Sequence, residues 1–334
     1  LARRPSGLPA LEDFALKEAP MPAHGPGEVL VRNLYLSLDP AIRGWMSDAQ
    51  SYLPPIRIGD PVRSGALAEV IASNREGLLP GDIIQALAAW EEYSVLGEHA
   101  IHGKVAPIEG IPLESSLSVL GGTGLTAYFG LLEIGAPKPG ETVLVTAAAG
   151  AVGSIVGQLA KLHGCRAVGI AGGREKCEWL TGELGFDAAI DYRSGDLRAR
   201  LKEACPKGVD VFFDCVGGEQ LDLGLARINL GARVVICGAI SQINAEELPP
   251  GPSNYVRLIA KRARMQGFVT FDYAARFDAA RAELARHIFE GNLRYRDDVV
   301  VGLESAPRHL LRLFDGSHRG KLMVKITDPG EVER

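Results

Sequence analysis

The sequence predicts an α/β chain built from a doubly wound parallel sheet, joined to a second, mostly β domain. Three observations predict it. From about residue 140, apolar segments alternate with helical periods. A turn almost stripped of side chains, TAAAGAVGS (Thr146 to Ser154), joins the first of those segments to the first of those helices. Residues 1 to about 118 are instead rich in Pro and Gly, with short apolar runs broken by turn signals. At 334 residues the chain exceeds one ordinary core, so two domains are expected.

The elements follow in order. EVLVRNLYLSL and ALAEVIAS read as strands of the first domain, separated by GPG at 25–27, GD at 59–60 and PGD at 80–82. VLVTA (143–147) then precedes a helix with apolar Val152, Ile155, Val156 and Leu159. CRAVGIAG (165–172) precedes REKCEWLTGELG, and DAAIDY (187–192) precedes DLRARLKEAC. VDVFFDCVG (209–217) precedes EQLDLGLARI, and ARVVICGAI (232–240) precedes YVRLIAKRA. RMQGFVTF is expected as the last strand of that sheet. Strands apolar on both faces, alternating with helices, require a parallel sheet covered on both sides. YRDDVVVGLE and KLMVKI return to short strands, as if the chain goes back to its first domain. The expected division is therefore 1–118, 119–272 and 273–334, with the last segment rejoining the first.

Composition sets bounds. Apolar content of 46% and charged content of 23% are globular values. A net charge of −5 with no basic run leaves a nucleic-acid surface unsupported. No apolar run reaches membrane-spanning length and no signal peptide is visible. Five cysteines, none in CxxC spacing, read as reduced thiols of a cytoplasmic protein. The chain opens on Leu1, so a natural start upstream of it is expected.

The turn carries the main functional signal. Ala148-x-Gly150-x-x-Gly153 lies between a strand and a helix, the setting of a dinucleotide-binding turn with Ala in first place. Small side chains permit the turn, Gly150 admits a pyrophosphate, and Gly153 lets the helix pack on the strand. The helix N-terminus then offers N–H groups and a positive dipole end. The plain alternative is a tight strand–helix turn with no ligand. The second strand ends at AGGREK, with no acidic residue to hold a ribose hydroxyl. Arg174 and Lys176 follow instead, which favours a 2′-phosphate and hence NADPH over NADH. The plain alternative, two solvated residues opening a helix, is the weaker one, because a cation is mildly unfavourable at a helix N-terminus.

These residues also carry a resemblance. RRPSGLP, GPGEVLVRNLYLSLDP, LGGTGLTAYFGLLEIGAPKPGETVLVTAAAGAVGSIVGQLAKLHGC, DCVGG, CGAIS, ELPPGPSNY, RMQGFV and GLESAP span nearly the whole chain. Together they resemble the zinc-independent medium-chain dehydrogenase/reductases, in the leukotriene B4 dehydrogenase/prostaglandin reductase branch. The resemblance implies a GroES-like catalytic domain, a Rossmann domain, a homodimer, and NADPH-dependent reduction of the double bond of an enone or enal. It places Gly150, Ala151, Val152, Gly153 and Ser154 at the phosphate turn, and Lys176 and Tyr192 at the 2′-phosphate. Cys237, Gly238, Ala239, Ile240 and Ser241 match the segment facing the nicotinamide, and Phe268, Val269 and Thr270 the segment at its carboxamide. Tyr52 falls where bacterial members keep a tyrosine near the substrate. The chain departs from the family pattern at Ala41, Cys215, Ile243, Ala260 and His318. Cys215 and His318 still fall at cofactor-side positions. Tyr255 stands five residues before Ala260, where plant members place a tyrosine.

No metal is expected. The first domain has no cysteine, and His99 and His102 are its only close histidine pair. Enone reduction needs no Lewis acid. It needs a donor for the charge that develops on the carbonyl oxygen, and Tyr52, Tyr255 or a cofactor hydroxyl could provide one. Tyr52 could instead be a packed loop residue, and Tyr255 an anchor for the following helix. Two rivals use the same cofactor frame: a quinone reductase, and an NADPH-binding protein that has lost catalysis.

Overall fold

The computed structural model describes residues 1–49, 51–247 and 249–330. Its elements begin with β1 (Val29–Ser37), α1 (Ala41–Trp45), β2 (Arg63–Ser73), β3 (Ile83–Ala89), β4 (Tyr93–Leu96) and β5 (Ile101–Lys104). Next come α2 (Gly122–Phe129), β6 (Thr142–Val145), α3 (Ala151–Leu162), β7 (Arg166–Ala171), α4 (Arg174–Gly182) and β8 (Ala188–Asp191). The chain continues through α5 (Leu197–Ala204), β9 (Val209–Asp214), α6 (Gly218–Leu225), β10 (Ile228–Ile236), α7 (Arg257–Lys261), β11 (Arg264–Gly267) and α8 (Phe277–Phe289). It closes with β12 (Asp297–Val301), α9 (Ala306–Asp315) and β13 (Lys321–Lys325). Two units result. One holds Leu1–Leu117 and the chain from Asp297 onward; the other is Ser118–Arg296.

The first unit is built on one sheet in the order β12-β13-β1-β2-β3-β5, with β4 also pairing β1. Strand β1 is buried along its whole length and pairs antiparallel with β2, β4 and β13. Burial of both faces suits the six apolar residues of VLVRNLYLS. Leu36, Ile42, Ala66, Ile84, Leu310 and Leu322 lie in its core, so the returning C-terminal segment is part of that core. Lys321 is buried at the start of β13, where its Nζ donates 3.0 Å to the Leu38 carbonyl and pairs with Asp39. A buried ammonium persists only with such partners. Here it pins the segment that leads into α1.

The second unit carries a sheet in the order β11-β10-β9-β6-β7-β8, every neighbouring pair parallel. The order reverses between β6 and β9. In open parallel sheets such a reversal leaves a crevice at the carboxyl ends of the strands. Leu144, Val168, Ile170, Phe212, Val234 and Leu201 form a core on the sheet.

Two boundaries differ from the expectation. The chain stays in the second unit through Arg296 rather than leaving it at 273. The reason is α8: Ala280 is buried against Leu125 and Phe129 of α2, with Phe277 packed beside them. A helix so anchored belongs to the unit it covers. The last strand is also shorter than RMQGFVTF, because β11 ends at Gly267. Phe268 leaves the sheet, and its ring packs where a Cβ on Gly130 would stand, 2.6 Å from its Cζ. Thr270 hydrogen-bonds Thr126 of α2, 2.8 Å between hydroxyl oxygens.

Candidate functional site

The glycine turn sits at the carboxyl end of β6, beside the reversal in strand order. Its left-handed residue is Ala147, at φ +47°, and no glycine of the turn is left-handed. The Ala148 N–H donates 2.9 Å to the Ile170 carbonyl, fastening the turn to β7. Gly150 is the N-cap of α3 in an extended conformation (φ −80°, ψ 173°), and no side chain caps the helix. The first N–H groups of a helix lack intrahelical acceptors, so this end is open to an anion. Gly153 is required by close approach. A Cβ there would stand 2.5 Å from the Ala147 oxygen and 2.8 Å from the Ala148 Cα. Gly150 is less confined, its Cβ meeting only the Ala147 oxygen at 3.1 Å. Ser154 is buried in the first turn of the helix.

A buried carboxylate ties this turn to its neighbours. Asp214, at the end of β9, is wholly buried. It accepts from Thr146 Oγ1 at 2.6 Å, from the Val216 N–H at 3.2 Å and from the Gly217 N–H at 2.8 Å. Thr146 Oγ1 in turn accepts from the Cys215 N–H at 2.8 Å. Burial pushes the Asp214 carboxyl above its ordinary range, against the pull of these donors. The turn after β9 is zipped to the turn after β10. Cys237 N–H donates to the Asp214 carbonyl at 2.8 Å, Ile240 N–H to the Cys215 carbonyl at 3.3 Å, and Ser241 N–H to the Val216 carbonyl at 3.1 Å. A Cβ on Gly217 would meet that of Ala239 at 3.2 Å, so the backbones lie close. Gly150 to Ser154, Cys215 and Cys237 to Ser241 therefore all belong to turns at the same ends of β6, β9 and β10.

The cations lie at the ends of β7 and β8. Arg174 opens α4, but its Nε pairs with Glu178 at 2.6 Å, and its side chain is 90% exposed. That geometry matches a solvated helix-opening residue. Lys176 is half-buried two residues on. Tyr192, just past β8, folds over Gly172, where a Cβ would lie 2.9 Å from its Cε1. Arg193 comes to the same place, with its Nε 3.0 Å from that Cβ position and its guanidinium 5.7 Å from the centre of the Tyr192 ring. Asp191 Oδ1 fixes both strand ends by accepting from Gly173 N–H at 2.8 Å and Arg193 N–H at 2.9 Å.

The remaining predicted residues are more dispersed. Phe268, Val269 and Thr270 lead out of β11 against α2, as described above. Tyr255 is 57% exposed in a short 3-10 turn, Ser253–Val256. Its neighbour Asn254 ties that turn to Asp222 of α6, with N–H and Nδ2 donating at 2.6 and 2.8 Å. In the first unit, Tyr52 is 55% exposed and lies edge-on to Trp45, ring centres 6.3 Å apart. His318, also in the first unit, donates from Nδ1 to the Arg312 carbonyl at 2.9 Å. The sequence reading assigned no role to Thr146, Asp214 or Arg193. Asp214 had a signal: a carboxylate ending an apolar strand is costly unless donors surround it. Arg193 had none, since only Gly172 lets it reach the other strand end.

Known proteins give the family. Residues 1–103 match the family described as N-terminal domain of oxidoreductase, and residues 151–286 that described as zinc-binding dehydrogenase. Among the described residues, no group of three or more His, Cys, Asp or Glu could hold a metal ion. The chain is 39% identical to a 2-alkenal reductase (NADP(+)-dependent) of Nicotiana tabacum, over 96% of this chain and 95% of that one. It is also 39% identical to prostaglandin reductase 1 of Bos taurus, with the same coverage. CurA from Vibrio vulnificus, solved in complex with NADPH, superposes with a TM-score of 0.92 at 42% identity, over 98% of each chain. The α/β sheet is thus a Rossmann domain and the mixed sheet a GroES-like one. The close turn at Gly153 and the uncapped start of α3 suit a pyrophosphate-bearing cofactor, and the cofactor is NADP(H). The chain belongs to the zinc-independent medium-chain dehydrogenase/reductases, in the leukotriene B4 dehydrogenase/prostaglandin reductase branch.

Proposed function

We propose that this protein reduces the carbon–carbon double bond of α,β-unsaturated ketones and aldehydes with NADPH. The observation that carries this reading is the uncapped, side-chain-free start of α3 at the strand-order reversal, in a chain close to an alkenal reductase throughout its length. The backbone of Gly150 to Ser154 holds the pyrophosphate. Lys176, Tyr192 and Arg193 hold the 2′-phosphate, with Arg174 at its solvent edge. Cys215 and the segment Cys237 to Ser241 face the nicotinamide side, and Phe268, Val269 and Thr270 its carboxamide. His318 stands at a cofactor-side position by likeness, with one ring nitrogen committed to Arg312. Bound there, NADPH supplies hydride to the β-carbon of the substrate. The protein's part is to steady the negative charge gathering on the carbonyl oxygen, which a hydroxyl donor in a dry site does best. The phenols of Tyr52 and Tyr255 are the candidates on the chain. The α-carbon of the enolate then takes a proton from water.

The chemistry is tested by following NADPH absorbance with a medium-chain enal, and with a quinone in parallel. The expected result is oxidation with the enal and formation of the saturated aldehyde. Oxidation with the quinone alone would make this a quinone reductase. Binding of NADPH with no turnover of either would favour a non-catalytic NADPH-binding protein. A second prediction concerns cofactor choice. Lys176→Ala and Arg193→Ala should each weaken NADPH by about 10- to 150-fold, a charge-assisted hydrogen bond of about 1.5–3 kcal/mol, and leave NADH almost unchanged. Fluorescence titration with both nucleotides checks this, and equal losses for the two would remove the residues from the 2′-phosphate.

The homodimer also belongs to this proposal. Among the described residues strand β11 pairs with β10 alone and is exposed along its length, and such a sheet edge invites pairing with a second copy. No helix among the described residues is long and apolar enough to cross a membrane. A cytoplasmic site of action fits the reduced cysteines.

A further inference from the structure

Two of the five cysteines stand side by side at the cofactor turns. The register of β9 and β10 pairs Asp214 with Ile236, so Cys215 and Cys237 are the next pair across. Adjacent strands lie about 4.8 Å apart, inside the window of about 4.4–6.8 Å between Cα atoms that a disulfide spans. The Cys215 thiol is held well above its ordinary range by the neighbouring Cys237 thiol and by burial. Both are free and partly exposed, whereas Cys165 and Cys205 are buried. The backbone bonds that zip the two turns keep the pair adjacent, so a bond between the sulfurs needs only a local shift of the turn at Cys215.

We propose that Cys215 and Cys237 are a redox modification site, a dithiol that a hydroperoxide converts to a disulfide and that thereby lowers the affinity for NADP(H). The Cys237 sulfur, as a thiolate, attacks the peroxide first. It displaces ROH from ROOH and becomes a sulfenic acid. The Cys215 sulfur then displaces water, and the S–S bond forms. Two thiols lose two electrons and two protons, and the peroxide O–O bond takes up both. Closing the sulfurs draws the turn at Cys215 toward that at Cys237. The Cys215 N–H then no longer sits squarely on Thr146, whose hydroxyl is bonded to Asp214 beneath the glycine turn. The loss of affinity rests on the cofactor placement proposed above; the cross-link does not.

The test starts from the fully reduced protein, treated with hydrogen peroxide and then with N-ethylmaleimide. Peptide mass mapping should find Cys215 and Cys237 joined, two hydrogens lighter and unalkylated, while Cys177 is alkylated. NADPH titrations of the oxidised protein should show affinity about tenfold lower, restored by dithiothreitol, and in a dithiothreitol redox buffer at equilibrium saturating NADPH should disfavour the disulfide by the same factor. Cys215→Ser, checked for folding by circular dichroism, should bind NADPH with an affinity that peroxide does not change. Failure to find the joined peptides while other thiols oxidise would overturn the proposal, as would a complete cross-link with unchanged NADPH affinity. If the reduced protein fails to bind NADPH at all, the cofactor reading falls, and the peptide map still decides whether the dithiol forms.

Discussion

Gly153→Val should abolish tight NADPH binding and destabilise the Rossmann domain. A single Cβ would stand 2.5 Å from the Ala147 oxygen and 2.8 Å from the Ala148 Cα, both backbone atoms. Neither can rotate away, as a side chain could. Either α3 lifts from β6 or the turn opens, and both move the N–H groups at the helix start. Overpacking of this kind costs roughly 1–3 kcal/mol, and valine adds two more methyl groups to place. Binding should fall more steeply than stability, because several N–H groups lose their aim at once. A loss of NADPH affinity of about 100-fold corresponds to about 2.8 kcal/mol, one or two hydrogen bonds to a charged group. Gly150→Ala is the milder control, since its Cβ meets one oxygen at 3.1 Å. Titration of the folded Gly153→Val protein measures the effect. Affinity within threefold of the parent would show that NADPH does not rest on this turn.

Asp214→Ala should be nearly as damaging by a different route. The substitution leaves the Thr146 hydroxyl and the N–H groups of Val216 and Gly217 without their acceptor, in a wholly buried place. Each orphaned donor costs about 1–3 kcal/mol, so a loss of about 3–5 kcal/mol is expected by chemical denaturation. Asp214→Asn separates shape from charge. It keeps one acceptor but turns an NH2 group toward a backbone donor, and should fall between the two. The pH dependence has a definite sign. The folded carboxyl titrates above its ordinary value of 3.8 because of burial. The unfolded chain therefore releases this proton first, and the contribution of Asp214 to stability declines as pH rises from 3.8 through the folded value. The stability difference between the parent and Asp214→Asn should shrink across that window. A difference that grows with pH would mean that the donors, not burial, control the group.

The two variants probe the parts of the site that differed in legibility. The glycine turn was open to reading because its constraints are local. Small residues between an apolar strand and an amphipathic helix leave little else for the backbone to do, and the turn sits where the spacing put it. The second strand's end, AGGREK, was legible only in part. Its lack of an acid held, but Arg174 turned to Glu178, a partner four residues along the same helix. Arg193 came into place from the next strand, which no spacing within one segment reveals.

From the sequence alone, the alternation of apolar strands and helices determined a parallel sheet, and the stripped turn determined where an anion could meet a helix start. Those are properties of neighbours along the chain, set by periodicity and by backbone room. Tertiary structure alone decided the order β11-β10-β9-β6-β7-β8 and the departure of Phe268 from the sheet. It also decided that α8 stays with the Rossmann domain, that Asp214 lies under the turn at Thr146, and that two cysteines 22 residues apart follow the paired ends of β9 and β10. Each depends on contacts between segments distant in sequence, where packing and the need to satisfy buried polar groups choose among arrangements that local propensity leaves equal.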